Sequence, residues 1–290
     1  MKQFTPDYLN KFKCIADKCK HSCCIGWEID IDKDSLEYYN SVDGDFSKRL
    51  SQNIKDGHFI LHDDERCPFL NKSGLCDIYT ELGEDALCQI CTDHPRFRNF
   101  FTGAVETGLG LCCEEAARII LSQKDVFSID TETFEESGFF RLRNTVFDIM
   151  QDREFSFTER CENLCDYFGM QLPKNDWKSV FLSLETLDPN WSKTLNSIDF
   201  VSDFCGFDIG FEQLFCYFVF RHLADGIEDG RFIERILFCM LACKVINAIV
   251  CKNGVTFENV ADAGRRFSCE IEYSDENIDK LLYELSKGVE

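Results

Sequence analysis

The sequence predicts a mainly α protein: a loop-rich cysteine-cluster N-terminal unit with a few short strands, followed by a helical C-terminal domain. Three observations lead there. Of eighteen cysteines, ten fall within the first 113 residues, among charges, glycines and prolines rather than on an apolar stripe. From about residue 139 onward, apolar residues recur every three or four positions, the period of a helix buried on one face. The chain's 290 residues are 44% hydrophobic and 13% aromatic, ample for a core. The expected units are 1–125, cysteine-rich and metal-binding, and 139–290, helical. The acidic, aperiodic DVFSIDTETFEESG is the expected boundary between them.

Taken in order, GWEIDI (26–31) alternates like a short strand, and Asp32 is placed to cap a helix over KDSLEYYN. HFILH (58–62) reads as a second short strand, followed by CPFLNKSGLC with Ser73-Gly74 at the tip of a turn. ELGEDALCQIC reads as a short helix. FRNFFTGAVETGLGL supplies one or two strands, and CCEEAARIILS a helix with its acidic pair in the first turn. Then come FRLRNTVFDIM, FTERCENLCDYFGM, WKSVFLSLETL, DIGFEQLFCYFVFRHLA and RFIERILFCMLACKVINAIVCKNG, all helical in period, the last stopped by Asn253-Gly254. Helices from Phe257 to about Phe267 and from Asp275 to about Leu285, the latter capped by Ser274, complete the chain.

The net charge is −21. Such a chain repels the phosphate backbone, so nucleic acid is excluded as a natural partner. MKQFTPDYLNKFK has no apolar run of signal-peptide length, and LFCMLACKVINAIV is too short to cross a bilayer and carries Lys244. The expectation is a soluble, cytoplasmic protein with no transmembrane segment. A reducing cytoplasm disfavours a disulfide framework, which leaves metal ligation, or life without oxygen, to explain the cysteine load.

The two sets of cysteines need separate explanations. Cys239 and Cys243 lie on the continuous helical stripe Phe232, Ile236, Cys239, Cys243, Ile246, Val250, where a free thiol is a small hydrophobe. Cys161 and Cys165, four apart on a helix, have the spacing to pinch a metal, but Leu164 and Phe168 beside them favour packing. The early set, Cys14-x4-Cys19-x3-Cys23-Cys24, then Cys67, Cys76, Cys88-x2-Cys91 and Cys112-Cys113, has no such stripe. Loops can turn several sulfurs inward onto one metal, and both zinc and a [4Fe–4S] cluster take four thiolates. Loops this short and polar are expected to lack a continuous core and to need ligation for order.

VETGLGL, a strand followed by Gly-x-Gly and a helix, imitates the fingerprint that cradles adenosyl cofactors, with Glu106 or Asp130 on ribose hydroxyls. No further alternation of strands and helices follows, so a true dinucleotide-type fold is not expected. Gly108 and Gly110 still offer close backbone approach to a ligand.

CIADKCKHSCCIGWEIDID, then CPFLNKSGLCDIYTELGEDALCQICTDHPR, then ETGLGLCCEEAARIIL, together resemble the flagellin lysine-N-methylase (FliB) family, itself related to zinc- or iron-chelating cysteine-cluster proteins. The resemblance covers roughly residues 10–122. It implies a [4Fe–4S] cluster, S-adenosylmethionine as methyl donor, and transfer of methyl groups to lysine side chains of flagellin in the cytosol. It implies as metal ligands Cys14, Cys19, Cys23, Cys24, Cys67, Cys76, Cys91 and Cys113, with Cys88 a weaker match. Trp27, Pro95, Arg96 and Glu106 also fall on matching positions. Two places depart from the family pattern: His94 replaces a tyrosine before Pro-Arg, and Cys112-Cys113-Glu114-Glu115 replaces Ser-Cys-Pro-Glu.

If lysine is the substrate, its ammonium, with a pKa near 10.4, must lose a proton before it can attack a sulfonium methyl. Among the matched motifs His94, Glu106, Asp93 and Tyr79 are candidate bases, and Arg96 suits the donor's carboxylate. Arg96, Glu106, Gly108 and Gly110 are the candidate donor-binding residues. The early spacing contains no CxxxCxxC triplet, so a cluster is expected to organise the N-terminal unit. The alternative is a zinc- or iron-binding or sensing module with no enzymatic activity.

Overall fold

The computed structural model describes residues 1–129, 138–200 and 203–288. Among these the fold is mainly α, with short strands gathered in two small sheets. The chain divides into two compact units, Lys13–Arg96 and Met1–Phe12 with Phe97–Glu290. The expected division, 1–125 and 139–290, differs from this one. Strand β1 (Lys2–Phe4) pairs in parallel with β5 (Ala104–Leu109), Lys2 opposite Ala104, which draws the first residues and the stretch after Phe97 into the helical unit. The expected boundary stretch, 125–138, lies largely outside the described residues, as does Asp130.

In the 13–96 unit, Asp32 caps the helix Lys33–Ser41, its carboxylate accepting from the Ser35 amide at 2.9 Å as expected. A second helix, Asp45–Asn53, is not evident from the sequence, where DFSKRLSQN is mostly polar; it buries only Leu50. GWEIDI is not a strand but contributes one isolated bridge, at Asp30, with another at Ile25 just before it, and HFILH shrinks to β3 (His58–Phe59), paired with β2 (Ile54–Lys55). ELGEDALCQIC is not one helix. Gly83, at φ +97°, ends the helix Asp77–Leu82, and after a 3₁₀ turn at Glu84–Ala86 a new helix, Gln89–Asp93, begins. The unit also has a core, which corrects the expectation of loops without one: Ile29, Ile31, Tyr39, Leu50, Phe59, Phe69, Leu70 and Ile78 are buried together with Cys67 and Cys88.

Strand β4 (Arg96–Phe101), which starts on the last residue of the 13–96 unit and otherwise belongs to the other, forms a hairpin with β5 across Thr102-Gly103, and the sheet order is β1-β5-β4. Helix Glu114–Leu121 follows, with Glu114 and Glu115 in its first turn. Gly138–Met150 and Phe157–Phe168 come next, the latter started by a Ser156/Glu159 capping box. Trp177–Leu182 stops short of the predicted WKSVFLSLETL, and Pro189–Ser197 is an unpredicted helix with proline in its first turn. Asp208–His222 and Phe232–Asn253 are buried almost all round, as helices in the middle of a core must be. Phe257–Phe267 matches its expected limits, and Asp275–Ser286 starts at the expected Ser274 cap. Between them Ser268–Glu272 winds as a π-helix. No helix among the described residues is long and apolar enough to cross a membrane.

Candidate functional site

The thiols of the 13–96 unit are gathered by its loops. After Cys67, Asn71 closes a turn by accepting the amides of Ser73 and Leu75 on its side-chain oxygen, at 2.9 and 3.1 Å, while its amide nitrogen donates to Asp77 at 2.7 Å. Leu70 then bridges Cys76, so the turn returns the chain beside its start. Arg49 fixes the outer side of this knuckle through Asp77 at 2.5 Å and the Pro68 carbonyl at 2.9 Å. The Cys67 amide donates to the Cys24 carbonyl at 2.9 Å, which joins the first cysteine run to the second. The third is tied by Asp32, which caps its own helix and also accepts the Gln89 amide at 2.7 Å, at the start of the turn carrying Cys91.

Cys24, Cys67, Cys76, Cys88 and Cys91 converge in this way. The Cys88 and Cys91 sulfurs stand 3.4 Å apart. Hydrogen bonding to Cys91 holds the Cys88 thiol below its ordinary pKa, while the same contact, followed by burial and by Cys88, Cys24 and Cys67, pushes Cys91 up. Burial first, then Cys24 and Cys76, pushes Cys67 up to about 12, and burial raises Cys76. Cys24 is lowered to about 7, chiefly by a hydrogen bond to Cys23 and further by Ser22 and Arg66, against the opposing effect of burial. Three thiols that resist ionising, Cys67 and Cys76 chiefly through burial and Cys91 chiefly through Cys88, beside two already inclined to the thiolate, form a donor set that a cation would relieve; the residues fit a thiolate-ligated metal. Among the described residues no three His, Cys, Asp or Glu side chains stand in ligating geometry, so the sulfurs are assembled without being set at ligand distances.

Cys88, the weaker sequence match, is thus central to the group. Cys19 follows the short turn Ala16–Lys18, and Cys14 and Cys23 are exposed. Cys113 belongs to the other unit, where it precedes helix Glu114–Leu121 and packs against the large core. Cys112 lies there too, its sulfur 2.9 Å from the Tyr273 hydroxyl. Cys239 and Cys243 are fully buried in the helical core, as their stripe predicts.

His94 ends helix Gln89–Asp93, 6.2 Å from the Trp27 ring. Burial lowers its pKa to about 4, and its Nε2 has no hydrogen-bond partner. Arg96 donates to the Thr92 carbonyl at 3.3 Å, Asp93 accepts from Gln89 at 2.7 Å, and Tyr79 is exposed.

Glu106 and Gly108 lie on β5 in the other unit. Glu106 is fully buried, both carboxylate oxygens bound by Arg143 at 2.8 and 2.6 Å. A Cβ on Gly108 would meet Phe97 at 2.4 Å and Phe220 at 2.8 Å, so rings already occupy the approach that a ligand would need. Gly110 is buried and accepts the Cys113 amide at 3.3 Å. Sequence reasoning missed Arg143. Its signal is position: it falls on the apolar stripe Phe140, Arg143, Val146, Phe147, Met150 of its helix.

The lysine-N-methylase of Salmonella typhimurium is 28% identical over 156 residues, 48% of this chain and 38% of that protein. The resemblance to the flagellin lysine-N-methylase family holds. The lysine-N-methylase of Salmonella choleraesuis matches to the same extent. The flagellar biosynthetic protein FliU of Salmonella muenchen is 25% identical over 158 residues, 49% of this chain and 92% of FliU. The chain therefore spans well under half the length of the two lysine-N-methylases that it matches. No family model matches the chain, and no solved structure does.

Proposed function

We propose that this chain is a cytoplasmic protein-lysine N-methyltransferase that uses S-adenosylmethionine, acts on flagellin, and carries a cysteine-ligated [4Fe–4S] cluster in its 13–96 unit. The observation that carries this reading is the coincidence of the two findings: relatives named lysine-N-methylase, and a convergence of five thiols that answers the ligand-like spacing of the same chain. Cys24, Cys67, Cys76, Cys88 and Cys91 would hold the metal centre. When bound, it supplies cross-linking of three separate loops and, if iron–sulfur, a redox-active group.

The reaction moves a methyl group from a sulfonium to the lysine nitrogen, leaving a thioether and releasing the nitrogen's proton. His94 is a poor base for that proton. Taking it from an ammonium of pKa near 10.4 onto an imidazole of about 4 is uphill by roughly 9 kcal/mol. A neutral imidazole is better suited to accept a hydrogen bond and orient the amine. Glu106 is committed to Arg143, and Tyr79 is exposed on its helix. No base is therefore assigned, and the uncatalysed loss of the proton predicts a rate that rises about tenfold per pH unit below the lysine pKa.

The test is anaerobic isolation with iron, sulfide and zinc analysis, followed by transfer of labelled methyl to flagellin and thermal stabilisation by the donor. Iron and sulfide in similar amounts with label in lysine are expected. Stoichiometric zinc without sulfide would replace the cluster and leave the centre. A metal-loaded chain that neither binds the donor nor transfers label is a metal-binding module instead.

A further inference from the structure

Asn247, fully buried on helix Phe232–Asn253, organises a second cysteine site in the helical unit. Its side-chain oxygen accepts the Cys205 amide at 3.0 Å, and the Cys205 and Cys251 thiols meet that same oxygen at 3.0 and 3.6 Å. Its amide nitrogen donates to the Asp203 carbonyl at 2.8 Å. Their common contact with one oxygen brings the two thiols beside each other. Cys251 is exposed on the last turn of the helix and Cys205 is half-buried, so neither is a core hydrophobe like Cys239. Gly206, at φ +76°, gives the chain after Cys205 the freedom to adjust.

We propose that Cys205 and Cys251 form a reversible disulfide by exchange with a small-molecule disulfide such as oxidised glutathione. The exposed Cys251 sulfur, as thiolate, attacks the glutathione disulfide; a mixed disulfide forms at Cys251 and one glutathione thiolate leaves and takes up a proton. Cys205 then loses its proton, attacks the Cys251 sulfur, and expels the second glutathione. Two protein thiols are oxidised by two electrons and one glutathione disulfide is reduced to two thiols. The order of steps follows from the surroundings. Burial first, then hydrogen bonding to Cys251 and its charge, pushes the Cys205 thiol up to about 12. Capping Cys251 removes the last two causes and leaves Cys205 easier to ionise when it must attack.

The bond has a structural consequence. Asp203 and Phe204, just before Cys205, line one side of a cleft of about 570 Å³ whose other walls include Cys161, Cys165, Met240 and Lys244. Lys244 already lies 5.1 Å from the Phe204 ring centre. Met240 and Lys244 share the helix of Cys251, so the disulfide fastens two walls of the cleft together.

The test uses the metal-loaded full chain, incubated with oxidised glutathione, quenched with an alkylating agent and mapped by mass spectrometry. A Cys205–Cys251 cross-link should exceed any other pair in the helical unit by about tenfold and reverse with dithiothreitol. Cys205→Ser should trap glutathione on Cys251, and Cys251→Ser should leave Cys205 unmodified. Serine retains a hydroxyl donor facing Asn247 in place of each thiol, and circular dichroism checks that both variants fold. The proposal is overturned if wild type keeps glutathione on Cys251, if both thiols stay free for alkylation, or if another pair dominates. None of these outcomes depends on whether the chain transfers methyl groups.

Discussion

Cysteines of the 13–96 unit and of the helical core show what one side chain does in two settings. In the helical unit Cys216, Cys239 and Cys243 are fully buried, and burial is the first cause that raises each of their thiols. Cys239 further raises Cys216, and both further raise Cys243, so proximity alone does not distinguish a ligand set. In the 13–96 unit sulfur meets sulfur at 3.4 Å, Cys24 is drawn down to about 7, and three of the five converging thiols are only partly buried. Partial exposure with direct sulfur–sulfur contact, rather than density in the sequence, is what supports the proposed metal centre.

The largest effect that would sharpen the contrast is on metal. Cys88→Ser and Cys91→Ser should each weaken metal binding by about 100-fold or more, with methyl transfer lost in parallel, whereas Cys239→Ser should leave the metal content of the purified chain unchanged. Equal losses from both would dissolve the distinction. Stability should behave in the opposite way for the helical unit. Arg143→Ala strands the buried Glu106 carboxylate and should cost about 3–5 kcal/mol in urea unfolding while metal content holds.

Acid provides the next test. The imidazole titrates near 6.5 when unfolded and near 4 when His94 is folded, so between those values the unfolded chain binds more protons and stability rises with pH. The protein should therefore weaken as pH falls from about 6.5 to about 4, by roughly 3 kcal/mol from this group, and not further from it below that. His94→Gln should remove that part of the slope; an unchanged slope would mean that the imidazole is protonated in the fold. The smallest expected effect is at Asp32. Asp32→Ala removes a helix cap and should cost about 1 kcal/mol, with a modest loss of metal affinity because the same carboxylate holds the Gln89 amide.

Much of this was legible in the sequence, for physical reasons. Period-three-and-four stripes gave the long helices, the capping residues Asp32 and Ser274 stand where short polar side chains serve orphan amides, and the stripe through Cys239 and Cys243 placed them in the core. The limits of the units were not legible, because pairing of Lys2–Phe4 with Ala104–Glu106 is non-local and leaves no trace in either segment. Nor was the core of the 13–96 unit, whose members come one or two at a time from many short elements. The buried ion pairs were readable in principle: Arg143 and Arg160 each occupy an apolar stripe, where a charge demands a partner, and Glu106 and Glu212 are those partners. The sequence named Glu106 for its place in a glycine motif and so looked for a ligand where the fold supplies an arginine.

Parallel pairing of β1 with β5 also sets an order of events during synthesis. Lys13–Arg96 is contiguous and emerges whole, while β1 precedes it and β5 follows it. With about 100 residues between the paired strands, at roughly 5–20 residues per second on the ribosome, the first strand waits on the order of 5–20 s for its partner. The cysteine-bearing unit can thus collapse as a nascent chain before the other unit has its sheet, so that for the proposed metal centre the supply of metal at the ribosome becomes a matter of timing.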